Sequence, residues 1–349
     1  MREEASLRVQ AAGTGCAFGA PDLFTPWATR CPNQRSVMSW LWRRSEEAEV
    51  ARPEKQAAAV QLMRHLCRDL LNPGREDGGT SLPSGSEDAV DCSGARHDIV
   101  PAAPLEVPSE AAMERFLDAY ENDAQVASTR LRNMLRWRAS HSYGLEQTLV
   151  REIDATTPGV DKQVQSGKCY ILKGRDRAGR PIIVVHVRRH LPSEQSVDEL
   201  TRFGVYILEQ AEALLKHPLE SGPAQEQSSG TDSGKTEQGT LTATPTEMCI
   251  VFNLADIGVA NLDMKALKRI IYMLSNFYPE RMGVCLLLHA PMMFSATWAI
   301  IRPWLSTRTQ RKVHFVTEDQ LTKFIAASAL PAFWVHGSDT TLYSIHDSQ

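Results

Sequence analysis

Three short stretches of this 349-residue sequence have residue types and spacings that chemistry uses. Ser233-Gly234-Lys235-Thr236 ends like a phosphate-binding loop, in which backbone amides cradle phosphates and a lysine reaches them. The loop's first glycine belongs at position 229, but Ser229 stands there and Gly230 comes one place late. No strand pattern leads into it, so nucleotide binding is not expected there. His186 and His190 are four residues apart, a spacing that gathers metal ligands only on a helix. They fall on a strand pattern running into a loop, where structural histidines are expected. The third stretch is Glu280 and Arg281 after Tyr278-Pro279, together with Lys312 before Val313. These charges stand near the ends of neighbouring elements around an apolar interior. They read either as solvated surface or as polar recognition at the mouth of an apolar pocket. No G-x-S-x-G elbow occurs and no Cys–His pair stands out, so neither a catalytic residue nor a metal ligand is expected and the protein does not read as an enzyme.

The elements that must position these residues are set by composition and pattern. Net charge is −4, which calls for no nucleic-acid partner. Hydrophobic residues make up 42% and charged residues 23%, so a packed core is affordable. The longest apolar runs, such as Val284–Leu288 and Ile182–Val185, are far shorter than a membrane span. The seven cysteines are scattered with no C-x-x-C, which is neither a disulfide framework nor a zinc pattern. The first residues, Met-Arg-Glu-Glu, carry acids where a signal peptide needs bases, and a reducing cytosolic setting is expected.

Two regions lack the apolar content to order themselves: 72–108, expected as a disordered linker, and 217–247, expected as a disordered insertion. Residues 1–71 read as a separate N-terminal extension with a helix at about 54–71, and 336–349 as a tail. Within the extension, Trp40-Leu41-Trp42-Arg43-Arg44 suits either an interfacial membrane contact or packing on the domain. The compact part divides into a helical lobe, 109–160, and a domain over 161–335. Ser109 and Asp123 open the first helices of the lobe, and Gly144 restarts a helical pattern to about Ile153. Cys169–Leu172 and Pro181–Val187 read as a hairpin around Asp176–Arg180, followed by a helix over about 194–216. Met248–Leu254, Val284–His289 and Val313–Val316 read as apolar strands. They alternate with helices at Met264–Phe277, Ala296–Leu305 and about 318–328. The pattern is α/β, with a mainly parallel sheet covered by helices.

With these pieces in order, the chain resembles the CRAL-TRIO lipid-binding family, and within it the yeast-type phosphatidylinositol transfer proteins of fungi. The resemblance covers about 111–330. It rests on Arg115-Phe116-Leu117, Leu135-Arg136-Trp137-Arg138, Gly167-Lys168-Cys169-Tyr170 and Gly179-Arg180-Pro181. It continues through Tyr278–Gly283, Ala290-Pro291, Pro303-Trp304-Leu305 and Lys312-Val313-His314-Phe315.

The resemblance implies a helical lobe before a five-stranded, mainly parallel sheet floor, with a helical gate at about Met293–Arg302 over a lipid cavity. It implies that Glu280 and Lys312 hold an inositol phosphate headgroup, with Thr309 assisting and Arg281 in the same motif. Departures from the family are Asn253 for a usual aspartate, His289 for asparagine, and Met292 and Met293 for an aromatic. Met248 and Ile250 replace hydroxyl residues of the phosphatidylcholine-binding members, which leaves phosphatidylinositol favoured. Exposing a chain of about 16 carbons to water costs on the order of 12 kcal/mol, so a carrier needs a long apolar cavity. Ile250, Phe252 and Cys285–Leu288 can supply its floor and Met293, Phe294, Ile300 and Ile301 its lid; each is also an ordinary core residue by type.

The function expected from the resemblance is non-enzymatic phospholipid binding and transfer, with no cofactor beyond the bound lipid. The alternative is a lipid-sensing regulatory or scaffold module that binds a hydrophobic ligand or partner without transfer. Expected partners are phosphatidylinositol or another phospholipid, transient membrane surfaces and lipid-modifying enzymes. The expected location is the cytoplasm, peripheral to internal membranes.

Overall fold

The computed structural model describes residues 55–71, 89–90, 96–97, 99–216 and 245–331. The near phosphate loop, the Trp40–Arg44 stretch, most of the 217–247 insertion and the 336–349 tail lie outside the described residues.

The site is carried by one five-stranded sheet with the strands in chain order: β1 (Cys169–Arg175), β2 (Pro181–His186), β3 (Met248–Asn253), β4 (Met282–Leu288) and β5 (Val313–Val316). β1 and β2 pair antiparallel, and every later pair is parallel. Side chains alternate between the faces of a strand, so each apolar run feeds two layers. Ile182, Val184, Cys249, Val251, Leu286 and Leu288 pack on one face beneath Leu321, Ile325 and Leu330. Ile183, Ile250, Phe252, Cys285 and Leu287 point to the opposite face, towards the helices.

Those helices are α1 (55–66, continued by a turn at Arg68–Leu71), α2 (Glu110–Ala119), α3 (Ala124–Arg138), α4 (Val160–Gln165), α5 (Val197–Lys216), α6 (Met264–Asn276), α7 (Phe294–Ile301), α8 (Thr307–Arg311) and α9 (Glu318–Leu321). Ser109, Asp123 and Asp263 cap α2, α3 and α6 by accepting from first-turn amides. The lobe is fastened to the sheet domain by aromatic stacking. Trp137 lies flat on Phe277, with centroids 4.1 Å apart and planes 4° apart, and edge-on to Tyr278.

Several boundaries differ from the sequence reading. Residues 55–71 were expected in a separate extension, yet Ala59, Met63, Cys67 and Leu70 are buried in the same core as Phe116, Leu131 and Trp137. Arg132 of α3 holds Asp69 through two hydrogen bonds, at 2.7 and 2.6 Å, and also donates to the Leu66 carbonyl. The C-terminal end of the expected linker is also held: the Ala102 and Ala103 amides donate to the Ala139 carbonyl. The helix expected from Gly144 to Ile153 is instead a run of turns and a single 3-10 turn at Val150–Glu152. Tyr143, Gly144 and Glu146 all have positive φ, which a right-handed helix cannot accommodate.

Candidate functional site

The apolar face of the sheet, α5, α6 and α7 enclose a cavity of about 570 Å³. Ile250, Phe252, Cys285 and Leu287 form its floor. Phe294, Thr297, Trp298 and Ile301 of α7 form part of its wall, at the i, i+3, i+4, i+7 spacing of one helix face. The outward side of this region leaves Met292 95%, Ile300 56% and Phe315 48% exposed. Phe315 packs against Phe294 and Trp298.

At the amino ends of β3, β4 and β5 the apolar lining gives way to charge. Glu280, Thr309 and Lys312 line the cavity there. The Lys312 ammonium donates to Glu280 Oε2 at 2.9 Å, Glu247 Oε1 at 3.1 Å and the Met282 carbonyl at 2.8 Å. Arg308 adds a second cation, 3.2 Å from Glu280 Oε2. Thr309 shares a 2.9 Å hydroxyl contact with Ser306, whose side chain caps α8. All of these groups are partly screened by solvent, so the cluster adds little stability and remains exchangeable.

Each member of Tyr278-Pro279-Glu280-Arg281 has a distinct task. The Arg281 amide donates to the Tyr278 carbonyl at 3.3 Å, closing a turn. Pro279 occupies the position where its fixed φ is favoured, and Glu280 takes φ 54°, where glycine is usual. Both ends of the turn are bolted to α5. The Tyr278 hydroxyl donates to Glu209 at 2.7 Å, and Glu209 grips Arg138 at 2.8 and 3.0 Å. Arg281 forms a bidentate pair with Glu212, three residues further along α5. Burial alone would raise the Glu209 carboxyl, but the Arg138 guanidinium outweighs it and holds the group below its usual range. The left-handed residue between two anchored neighbours is the one presented to the cavity. Backbone strain held at a single position in this way commonly marks a working residue.

Of the nine residues expected to contact ligand, Glu280, Thr309, Lys312, Ile250, Phe252, Phe294 and Ile301 line the cavity. Two do not. Arg281 is spent on Glu212 and the Thr246 carbonyl, and Met293 stands at the amino end of α7, 43% exposed. The gate helix is also shorter than the stretch Met293–Arg302, since Arg302–Trp304 forms a separate 3-10 turn with Pro303 at its start.

Residues not foreseen beside the site are Glu247 and Arg308. Glu247 was hidden by the polar insertion that precedes β3, and Arg308 is one place before Thr309 with no motif to mark it. Arg115, in α2, has an Nε with no hydrogen-bond partner among the described residues. Burial first, then the nearby Arg281 charge, lowers it to about 10. His186 accepts or donates at 3.1 Å with Tyr170 Oη and at 3.4 Å with Asn253 Nδ2, the partners of a structural histidine. Among the described residues no cluster of three His, Cys, Asp or Glu side chains could hold a metal ion, and no helix is long and apolar enough to cross a membrane.

Comparison with known proteins covers the same region. Residues 165–334 match the family model described as the CRAL/TRIO domain. A CRAL-TRIO domain-containing protein of Schizosaccharomyces pombe is 28% identical over 207 residues, covering 58% of this chain and 39% of that protein. The phosphatidylinositol transfer protein CSR1 of Eremothecium gossypii is 29% identical over 224 residues, covering 62% of this chain and 44% of that protein. The matched part of the chain thus spans about two fifths of the length of these curated relatives. The crystal structure of Sfh5 aligns with a TM-score of 0.45 at 16% identity, covering 66% of this chain and 76% of that one. All five strands, α7 and the Glu280–Lys312 rim lie inside the stretch that is similar to the CRAL/TRIO domain.

Proposed function

We propose that this protein binds a phospholipid, phosphatidylinositol, and transfers it between membranes without catalysing a reaction. The observation that carries the reading is an apolar cavity whose rim holds Lys312, Glu280 and Thr309 together. Acyl chains lie against Ile250, Phe252, Phe294 and Ile301, out of water. The phosphate takes hydrogen bonds from Lys312 and Thr309, while Glu280 accepts from inositol hydroxyls. Lys312 exchanges its carboxylate partners for the phosphate, a substitution among charge-assisted bonds of similar strength. Arg308 adds positive potential on the same side. The name of the Eremothecium gossypii relative supports this lipid class. Met292, Ile300 and Phe315 form the side that meets a bilayer when α7 opens, and the protein works in the cytoplasm at internal membranes. Lipid-modifying enzymes are the partners that would receive the lipid.

Transfer of labelled phosphatidylinositol between liposomes tests the proposal. Wild type is expected to transfer, and Lys312→Ala and Glu280→Ala are each expected to lower the rate about tenfold or more, the loss of one charge-assisted contact. Unchanged transfer in both variants removes the headgroup assignment. Wild-type protein that retains lipid on purification yet transfers none is a lipid sensor rather than a carrier.

A further inference from the structure

The cavity has a second polar end, at the carboxyl ends of β2 and β3, away from Glu280 and Lys312. Lys168, immediately before β1, lines the cavity there and is only 4% exposed. Its ammonium has three donors. Among the described residues it donates to one acceptor, the neutral Gln195 side-chain oxygen, at 2.9 Å. No carboxylate lies within ion-pairing distance of it among these residues, in contrast to Lys312 with its two. A buried cation with two idle donors is costly unless something in the cavity accepts from it.

The surrounding wall is built to keep Lys168 in place. The Gln195 amide nitrogen donates to the Leu191 carbonyl at 2.6 Å and reaches His190 Nδ1 at 3.3 Å. With Nδ1 accepting, the ring proton sits on His190 Nε2, which lies 3.4 Å from Asp263 Oδ2 without forming a hydrogen bond. Asp263 is itself occupied in capping α6. His190 and Asp263 line the cavity beside Lys168, and Asn261 completes the wall while donating to the Arg188 and His190 carbonyls. The crevice outside the carboxyl ends of parallel strands is where open α/β sheets commonly bind ligands.

We propose that this end of the cavity is a binding site for the carboxylate of a long-chain fatty acid, with Lys168 as its counter-ion and the hydrocarbon chain running along the sheet floor. A single ammonium, with Asp263 on the same wall, suits a monoanion rather than a doubly charged phosphate. The site stands on the cavity geometry alone and does not depend on what the Glu280–Lys312 end holds.

The test is equilibrium binding of oleate and of methyl oleate to the full chain stripped of lipid, for wild type, Lys168→Met and Lys168→Arg. Oleate is expected to bind wild type at least about tenfold more tightly than methyl oleate, the worth of one charged hydrogen bond. Lys168→Met is expected to abolish that preference and Lys168→Arg to keep it. Equal binding of the two ligands by wild type overturns the proposal, as does a folded Lys168→Met that retains the preference. If Lys168→Met does not fold, the wild-type comparison decides by itself. No phospholipid is present in the titration, so its failure leaves the headgroup reading standing, and failed phosphatidylinositol transfer leaves this one standing.

Discussion

At the scale of single residues, the cavity wall stores a dependence on acid. His186 is buried between Tyr170 and Asn253, and burial, followed by the charges of Arg189 and Arg188, pushes its imidazole down to about 4. The folded protein therefore prefers the neutral ring, while the unfolded chain takes up a proton near pH 6.5. Stability from this group is complete above pH 6.5 and is lost as the pH falls from 6.5 towards 4, by up to about 3 kcal/mol. Urea midpoints of wild type and His186→Gln across this window should show the variant with the shallower loss; parallel curves would remove His186 as the cause. The sequence already read His186 as structural, because it and His190 fall on a strand pattern running into a loop and not on the helix that would stack residues four apart. What it did not reveal is the partner: Asn253, noted only as a departure from a usual aspartate, reaches the ring and adds no charge to it.

At the scale of elements, strand β1 must pass close to the last described turns. Its pairing with β2 shifts register between Ile171 and Arg175. A Cβ added at Gly174 would stand 2.6 Å from the Ala329 Cβ and 3.1 Å from its Cα. Gly174→Ala is expected to cost about 1–3 kcal/mol through this overlap. Ala329→Gly in the same chain should recover much of the cost, because it removes the opposing carbon; chemical denaturation of the single and double variants measures both. An equally destabilised double variant would place the strain elsewhere. The strands were legible because each contains a short, mostly apolar run, and Val313–Val316 appears with the same ends in both readings. The stretch after Gly144 was not, because its turns are held from outside: Arg202 of α5 donates to the Gly144 carbonyl at 3.3 Å. A local pattern of apolar spacing carries no trace of that remote donor.

At the scale of the whole molecule, the lobe begins earlier than composition suggested. Met63 is fully buried in the core that also contains Phe116 and Trp137. Met63→Ala is expected to cost about 2–5 kcal/mol, as for other buried large-to-small changes. A lower urea midpoint would show it, and an unchanged midpoint would mean that residues 55–71 are dispensable to the core. The α/β class and seven of the nine residues expected at the cavity could be read from the sequence, because they rest on short-range patterns: apolar runs, capping residues and the Tyr-Pro-Glu-Arg stretch. Only the tertiary structure decided what each of those residues faces. Glu280 and Arg281 are adjacent in sequence and both charged, yet one lines the cavity and the other is locked to Glu212. Lys312 and Lys168 are the same residue type at opposite ends of one cavity, the first held by two carboxylates and the second by a single neutral amide. Such differences arise from groups distant in the chain, which sequence neighbours do not encode.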